Sequence, residues 1–156
     1  MMTAVDDASE VYRLHADELV RYATALVGPT DAPDVVVDAV LSAVGSPGWS
    51  AVGNQRAYLY RAVLNTCASL RRRDARRAVR EARAGAVADP GASPDDASLD
   101  ARRALAGLSP QQRAVVYLTY WDDLAPAQVA ALLGVSEGSV RKQLARAREH
   151  LRRVLQ

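Results

Sequence analysis

The sequence has no phenylalanine and a single cysteine, and aromatic residues make up only 5% of its 156 positions. A core without bulky aromatics must be filled by Ala, Val and Leu, which favours small helical units over a sandwich or barrel. The lone Cys67 excludes an internal disulfide and a cysteine-rich zinc site. No apolar run is long enough to span a bilayer, and the acidic start MMTAVDDASE lacks the basic-then-apolar order of a secretory signal. The expectation is a soluble cytoplasmic protein with no membrane attachment. His15 and His150 stand on separate predicted helices without a partner at ligand spacing, so each reads as a surface or packing residue. No metal or other cofactor is expected. Neither a carboxylate pair nor a nucleophile–base set stands at working spacing, so the chain does not read as an enzyme.

What the chain has is charge in blocks. The net charge of +2 conceals eight acids against two arginines in residues 1–55, then nine arginines against two acids in 56–83. Residues 84–110 carry four acids and two arginines, and 111–156 carry seven bases and four acids. Two basic blocks alternating with acidic ones predict two separate nucleic-acid contacts.

The most informative stretch is APAQVAALLGVSEGSVRKQLARAREHLRR, residues 125–153. Gln128, Val129, Ala130, Leu132 and Leu133 form a short amphipathic helix, which Gly134 ends because glycine takes positive φ without steric cost. Val135 plugs the gap, and Ser136 caps the next helix. Val140, Leu144, Ala147, Leu151 and Val154 then recur at helical steps as one buried stripe. The opposite face carries Gly138, Ser139, Lys142, Arg146 and Glu149, with Arg141 and Gln143 at its shoulders. Small residues that let the helix approach base edges, followed by basic and amide side chains, suit a helix that reads the major groove. The plain alternative is a helical hairpin with a solvated basic face.

In chain order, the spacing predicts a first helix over Ser9–Val27, with Val11, Leu14, Leu19, Tyr22 and Leu26 as its apolar stripe and Arg13, Asp17, Glu18 and Arg21 on a solvated face. Thr30-Asp31 caps a second helix, Ala32 to Val44, with Pro33 and Asp34 in its first turn. Val35, Val36, Val37, Ala39, Val40, Leu41 and Val44 make it apolar nearly all round, so it is either buried or offers one apolar side to a partner. The run GSPGWSAVGNQ is a loop. Its Trp49 either folds onto the core or stacks on an unpaired base.

Arg56 to Arg83 reads as one long helix with Leu59, Val63, Thr66, Cys67 and Leu70 inward. Arg61, Asn65, Ala68 and Arg72 lie on the outer face, Tyr58 and Tyr60 flank the N-terminal turn, and an arginine run follows. Aromatics, an amide and arginines on one exposed side fit a phosphate backbone with bases splayed out. Residues 84–97, rich in Gly, Pro, Asp and Ala, read as a flexible acidic linker that would separate its ends by about 20 Å. Beyond it lie Leu99–Leu108 and a helix capped by Ser109, Pro110 and Gln112. The core of that region draws on Val115, Val116, Leu118, Leu124, Tyr117, Tyr120 and Trp121. The fold expected is all-α: domains at 1–83 and 98–156, the second a helix-turn-helix, joined by the linker at 84–97.

These parts resemble the extracytoplasmic-function sigma factors of bacteria, two-domain subunits that direct RNA polymerase to promoters. The matching stretches are LHADELVRYATALVG, TDAPDVVVDAVLSAV and YLYRAVLNTCASLRRR, then ALAGLSPQQRAVVYLTYWDDL and VAALLGVSEGSVRKQLARAREHLR. The resemblance implies that the first domain holds the promoter's minus-ten element, with Tyr58, Arg61, Asn65 and Arg72 near the melted strand and Trp49 close to a flipped base. It implies that Ser136, Glu137, Ser139, Arg141, Lys142, Gln143 and Arg146 read the minus-thirty-five element. The second helix, through Asp34, Val37, Asp38 and Leu41, would dock on the polymerase β′ clamp, and the second domain would meet the β flap. The acidic linker would run toward the active-site and RNA-exit channels, and an anti-sigma protein is a further partner. In the docking helix, Pro33, Val37, Val40 and Val44 stand where the family has polar or larger residues. Two other readings remain: a stand-alone helix-turn-helix regulator, and a degenerate sigma-like protein that sequesters a partner.

Overall fold

The first helix, α1 (Ala4–Val27), turns Val11, Leu19, Tyr22, Ala23 and Leu26 toward one side, and all five are buried. Leu14 does not join them: it is 70% exposed. At about 100° per residue it points roughly 110° away from the mean direction of that stripe, so its apolar character misplaced it. Glu18, expected in solvent, instead lies half-buried against the third helix. The computed structural model describes residues 4–84 and 104–155, with side chains from Asp7 onward. The linker expected at 84–97 therefore lies, apart from Ala84, outside the described residues, as does Leu99.

Gly28, at φ +90°, ends α1, and α2 (Ala32–Val44) follows with Pro33 in its first turn. The capping expected of Asp31 does not form, for two reasons. Asp31 has helical φ and ψ, so its carboxylate does not fold back over the first turn, and Pro33 offers no N–H to bond. Helix α2 satisfies both readings of its apolar surface. Val35, Val36, Ala39, Val40 and Ala43 are buried, while Val37 and Leu41 face outward, 40% and 57% exposed.

A single 3-10 turn, Trp49–Ala51, interrupts the loop. Asn54 then caps α3 (Gln55–Arg83), its Oδ1 accepting from the Ala57 N–H at 3.0 Å. Ala57, Leu59, Tyr60, Val63 and Cys67 of α3 are buried, and α1, α2 and α3 pack on one another around them. Tyr60, expected beside the exposed N-terminal turn, is fully buried. Its ring stacks tilted on Tyr22 at 4.5 Å, and its hydroxyl donates to Glu18 Oε1 at 2.7 Å. Burial pushes the Cys67 thiol up to about 12. Beyond Leu70, α3 carries no buried side chain: from Arg72 to Arg83 it projects in solvent.

After a helical turn at 104–106, Ser109 and Gln112 form a reciprocal capping box for α4 (Pro110–Tyr120). Ala114, Val115, Val116 and Leu118 are buried there. Tyr120 and Trp121 do not supply core as expected; both are exposed, Trp121 at 72%. Tyr120 projects from the side of α4 opposite its buried residues and meets Arg148, and Trp121 follows the last residue of the helix. Tyr117, half-buried, stacks on Trp121 with centroids 6.3 Å apart. Helix α5 (Pro126–Leu133) ends at Gly134, φ +71°, and Ser136 caps α6 (Glu137–Val154), its Oγ accepting from the Ser139 N–H at 3.0 Å. Val140, Leu144 and Ala147 are the buried stripe of α6, and Leu151 is half-buried; Val154 falls on the same side but, as the last residue of the helix, is exposed. Among the described residues every regular element is helical, so the fold is all-α with a C-terminal helix-turn-helix.

The helices before and after the undescribed segment share one buried cluster. Helix α1 packs on α4, and α3 packs on both α4 and α5.

Candidate nucleic-acid interface

Two surfaces carry the residues singled out in the sequence. On the first, α3 turns Arg61, Asn65 and Arg72 outward, all exposed, with Tyr58 half-buried beside them. Tyr58, Arg61 and Asn65 line a polar recess of about 400 Å³ whose other walls are Ser42, Ala43, Ser46, Ala62 and Thr66. Hydroxyls, an amide and a guanidinium in one open recess supply the donors and acceptors that read a base edge. The sequence did not point to Ser42 and Ser46, and it turned Thr66 toward the core. The two serines come to this recess only because α2 and the loop after it fold against α3, a contact without a local signal.

Trp49 is not part of the recess. The residue is 6% exposed, its Nε1–H donates to Asp7 Oδ2 at 3.2 Å, and its ring packs T-shaped against that of Tyr58 with centroids 5.6 Å apart. Of the two readings of Trp49, the structure shows the packed one: a covered ring offers no face to a base. Trp49 instead backs Tyr58, whose hydroxyl donates to Ser46 Oγ at 2.9 Å. Arg72 stands two turns beyond Asn65 along α3 and donates to Ser69 Oγ at 3.1 Å.

The second surface is the solvent side of α6. Ser136, Glu137, Arg141, Lys142 and Arg146 are exposed, and Ser139 and Gln143 half-exposed, on the face away from Val140, Leu144 and Ala147. Gly138, with open space about it, leaves the first turn free to approach a partner closely. Arg141 is paired with Glu137 at 2.6 Å, one turn earlier. Lys142 and Arg146 make no ion pair among the described residues. A helix with this face enters a major groove N-terminus first, with the cations further along beside phosphates.

A third surface is apolar. Asp34, Val37, Asp38 and Leu41 are exposed along one side of α2 at helical spacing. Val37 and Leu41, with Val40, Ala8, Ser9 and Tyr12, line a shallow groove of about 260 Å³ between α1 and α2. An exposed Leu and Val flanked by two carboxylates on a short helix make a patch suited to a protein partner. Among the described residues no His, Cys, Asp and Glu converge in a way that could hold a metal ion, and no helix is long and apolar enough to cross a membrane. His150 packs internally, its Nε2 3.1 Å from the Ala104 carbonyl.

Residues 98–151 match the family model described as Sigma-70, region 4. The chain is 35% identical over 157 residues to an RNA polymerase sigma-E factor of Streptomyces avermitilis, covering 94% of this chain and 84% of that one. It is likewise 35% identical over 151 residues to the ECF RNA polymerase sigma factor SigM of Mycobacterium tuberculosis, covering 94% and 76%. The fold is similar to that of the sigma factor RpoE from Bartonella quintana, solved in complex with the anti-sigma factor NepR, with a TM-score of 0.66 at 23% identity over 96% of both chains.

Proposed function

The chain belongs to the extracytoplasmic-function family of RNA polymerase sigma factors, and from that premise we propose how its three surfaces divide the work of bringing the polymerase to a promoter. As a sigma factor it directs RNA polymerase to specific promoters and initiates transcription there. Its partners are the polymerase core and promoter DNA.

The domain at 1–83 holds the minus-ten element and the domain at 98–156 the minus-thirty-five element, with 84–97 between them. Helix α6 lies in the major groove of the distal element. Ser136, Glu137, Ser139 and Gln143 face base edges, while Arg141, Lys142 and Arg146 meet guanine or phosphate. The recess between α2 and α3 takes an unstacked base of the proximal element. Asn65 and Arg61 read that base, Tyr58 walls it, and Arg72 neutralises the backbone beyond. Trp49 serves this recess indirectly, by fixing Tyr58. Asp34, Val37, Asp38 and Leu41 dock α2 on the β′ clamp. The departure at Val37 makes that contact more apolar than the family's usual one, and the second domain meets the β flap. No catalytic residue is proposed, since the polymerase carries out the chemistry.

The observation that carries this reading is the solvent face of α6: a capped helix after a tight glycine turn, with Arg141, Lys142 and Arg146 outward and its apolar stripe buried. Run-off transcription with core polymerase tests it. Promoter-specific transcripts are expected only when the chain is added; none from any template in a genomic promoter library would refute it.

A further inference from the structure

Helix α3 runs on past the body of the protein. Its last twelve residues, Arg72 to Arg83, are all exposed and extend about 18 Å at 1.5 Å per residue. An overhang of this length gains nothing from tertiary packing, and so short a helix is marginal by itself. Its own charges oppose it further. Arg72, Arg73, Arg76, Arg77, Arg80 and Arg83 stand against Asp74 and Glu81. Arg77 with Glu81, at 3.9 Å and exposed, is the one ion pair of the overhang among the described residues. Arg72 with Arg76, Arg73 with Arg77 and Arg76 with Arg80 are like charges one turn apart, each pair unfavourable. Arg80 and Arg83 lie in the last turn, where the negative pole of the helix favours a cation. The other four lie behind that turn, beyond its reach.

The arginines are not scattered around the helix. At about 100° per residue all six fall within a sector of about 140°, while Asp74, Ala75, Ala78, Val79, Glu81 and Ala82 occupy the rest. The same sector, followed back along α3, contains Tyr58, Ala62, Asn65 and Thr66, which line the recess. The arginine face is therefore the recess face prolonged. It differs in chemistry, because the overhang holds no aromatic, amide or hydroxyl side chain. A splayed single strand calls for aromatic platforms. A row of guanidiniums without them suits the phosphate ridge of a duplex, which carries no sequence information.

We propose that the overhang, through Arg73, Arg76, Arg77 and Arg80, grips the phosphate backbone of the duplex adjoining the melted element, as a third and sequence-independent DNA contact. The proposal rests on the reading above in which the recess takes an unstacked base of the proximal element. From Asn65, residues 72–83 lie about 10–27 Å along the helix axis. At 3.4 Å per base pair the gripped phosphates therefore fall about 3–8 base pairs from that base. Phosphates also neutralise the like charges that oppose the helix, so DNA steadies the overhang that grips it.

The first test needs no polymerase. In the isolated chain Arg61 Nη2 donates to the Ala131 carbonyl at 3.0 Å and Arg71 to that of Leu108, whereas the overhang stands exposed. Arg73→Gln, Arg76→Gln and Arg80→Gln together remove three cations and keep a good helix former at each position. Binding to a short duplex of arbitrary sequence is then followed against salt. The slope of log K against log salt should become shallower by about 2–3 in the triple variant, at about 0.9 per phosphate contact, and by as much on an unrelated sequence. Arg73→Lys, Arg76→Lys and Arg80→Lys together should keep the wild-type slope. An unchanged slope in the glutamine variant would overturn the proposal, as would a loss confined to one sequence. The second test adds core polymerase and a promoter. Ethylating phosphates about 3–8 base pairs from the melted thymines should hinder binding of the wild type and not of the glutamine variant; equal interference in both would overturn the proposal. A shallower slope with no melted thymines on any promoter would uphold the grip on duplex and count against the proximal-element reading instead. An unchanged slope with weaker binding to polymerase alone would assign the overhang to a protein partner and overturn the proposal.

Discussion

Arg61 lies over Gly134 so closely that no side chain fits between them: a Cβ on the glycine would stand 2.6 Å from Arg61 Nε. The glycine is there for two reasons at once, its left-handed φ of +71° and the guanidinium above it. Replacing Gly134 with Ala should cost about 1–2 kcal/mol from backbone strain alone and should displace Arg61 from the Ala131 carbonyl. Urea unfolding measures the first effect. A downfield or upfield change of the Arg61 Nε–H resonance, with the α6 amides little moved, reports the second.

Glu18 joins α1 to α3 through Arg56, at 2.5 Å, and through the hydroxyl of buried Tyr60. Burial, and then the hydrogen bond to Glu18, hold the Tyr60 phenol well above its ordinary range. Glu18→Ala strands that hydroxyl and should destabilise the protein by about 1–3 kcal/mol. Glu18→Gln keeps an acceptor and should cost less than the alanine variant. The Arg56 ion pair, half-exposed, contributes little of the difference. Thermal unfolding of the two variants side by side checks the order.

Val37 and Leu41 stand in solvent on α2 while their neighbours Val36 and Val40 are buried. Val37→Asp and Leu41→Asp should therefore change folding stability by less than about 1 kcal/mol each. Both should weaken the complex with core polymerase by about tenfold or more, as loss of a buried apolar contact at an interface does. Co-migration of chain and core polymerase on gel filtration, across a concentration series, distinguishes the two effects.

The Cys67 thiol and the Tyr60 phenol are both protonated in the fold, with their pKa values raised by burial. Folding stability from such groups is complete below their unfolded pKa values and declines as pH rises above them. For Cys67 the window runs from about 9 to about 12. Stability should thus be flat through neutral pH and fall on the alkaline side. The folded chain should also leave Cys67 unreactive toward an aromatic disulfide reagent at pH 8, with full reaction in urea. Prompt reaction of the folded chain would contradict the burial.

The helix-turn-helix was legible because its signals are local. Gly134 stops one helix, Ser136 caps the next, and Val140, Leu144 and Ala147 repeat at helical steps, so chemistry and geometry are read within one window. Leu14, Tyr120 and Trp121 misled for a related reason: residue type announces apolar character but not direction, which depends on the neighbours and on where the helix stops. Glu18 with Tyr60, and Arg71 with Leu108, are separated by whole elements. Nothing in either member's own stretch announces the pair. The recess had the same obscurity: Asn65 and Arg61 stood out as outward-facing groups, but Ser42 and Ser46 joined them only through the packing of α2 on α3.

The most direct measurement is a footprint of polymerase plus this chain on a promoter found by run-off selection, with permanganate marking the melted thymines. The account predicts two protected patches about 25 base pairs apart. Arg146→Ala should lose the upstream patch, while Asn65→Ala should keep it and lose the melted thymines. A single patch, or two patches on which neither substitution acts, would contradict it.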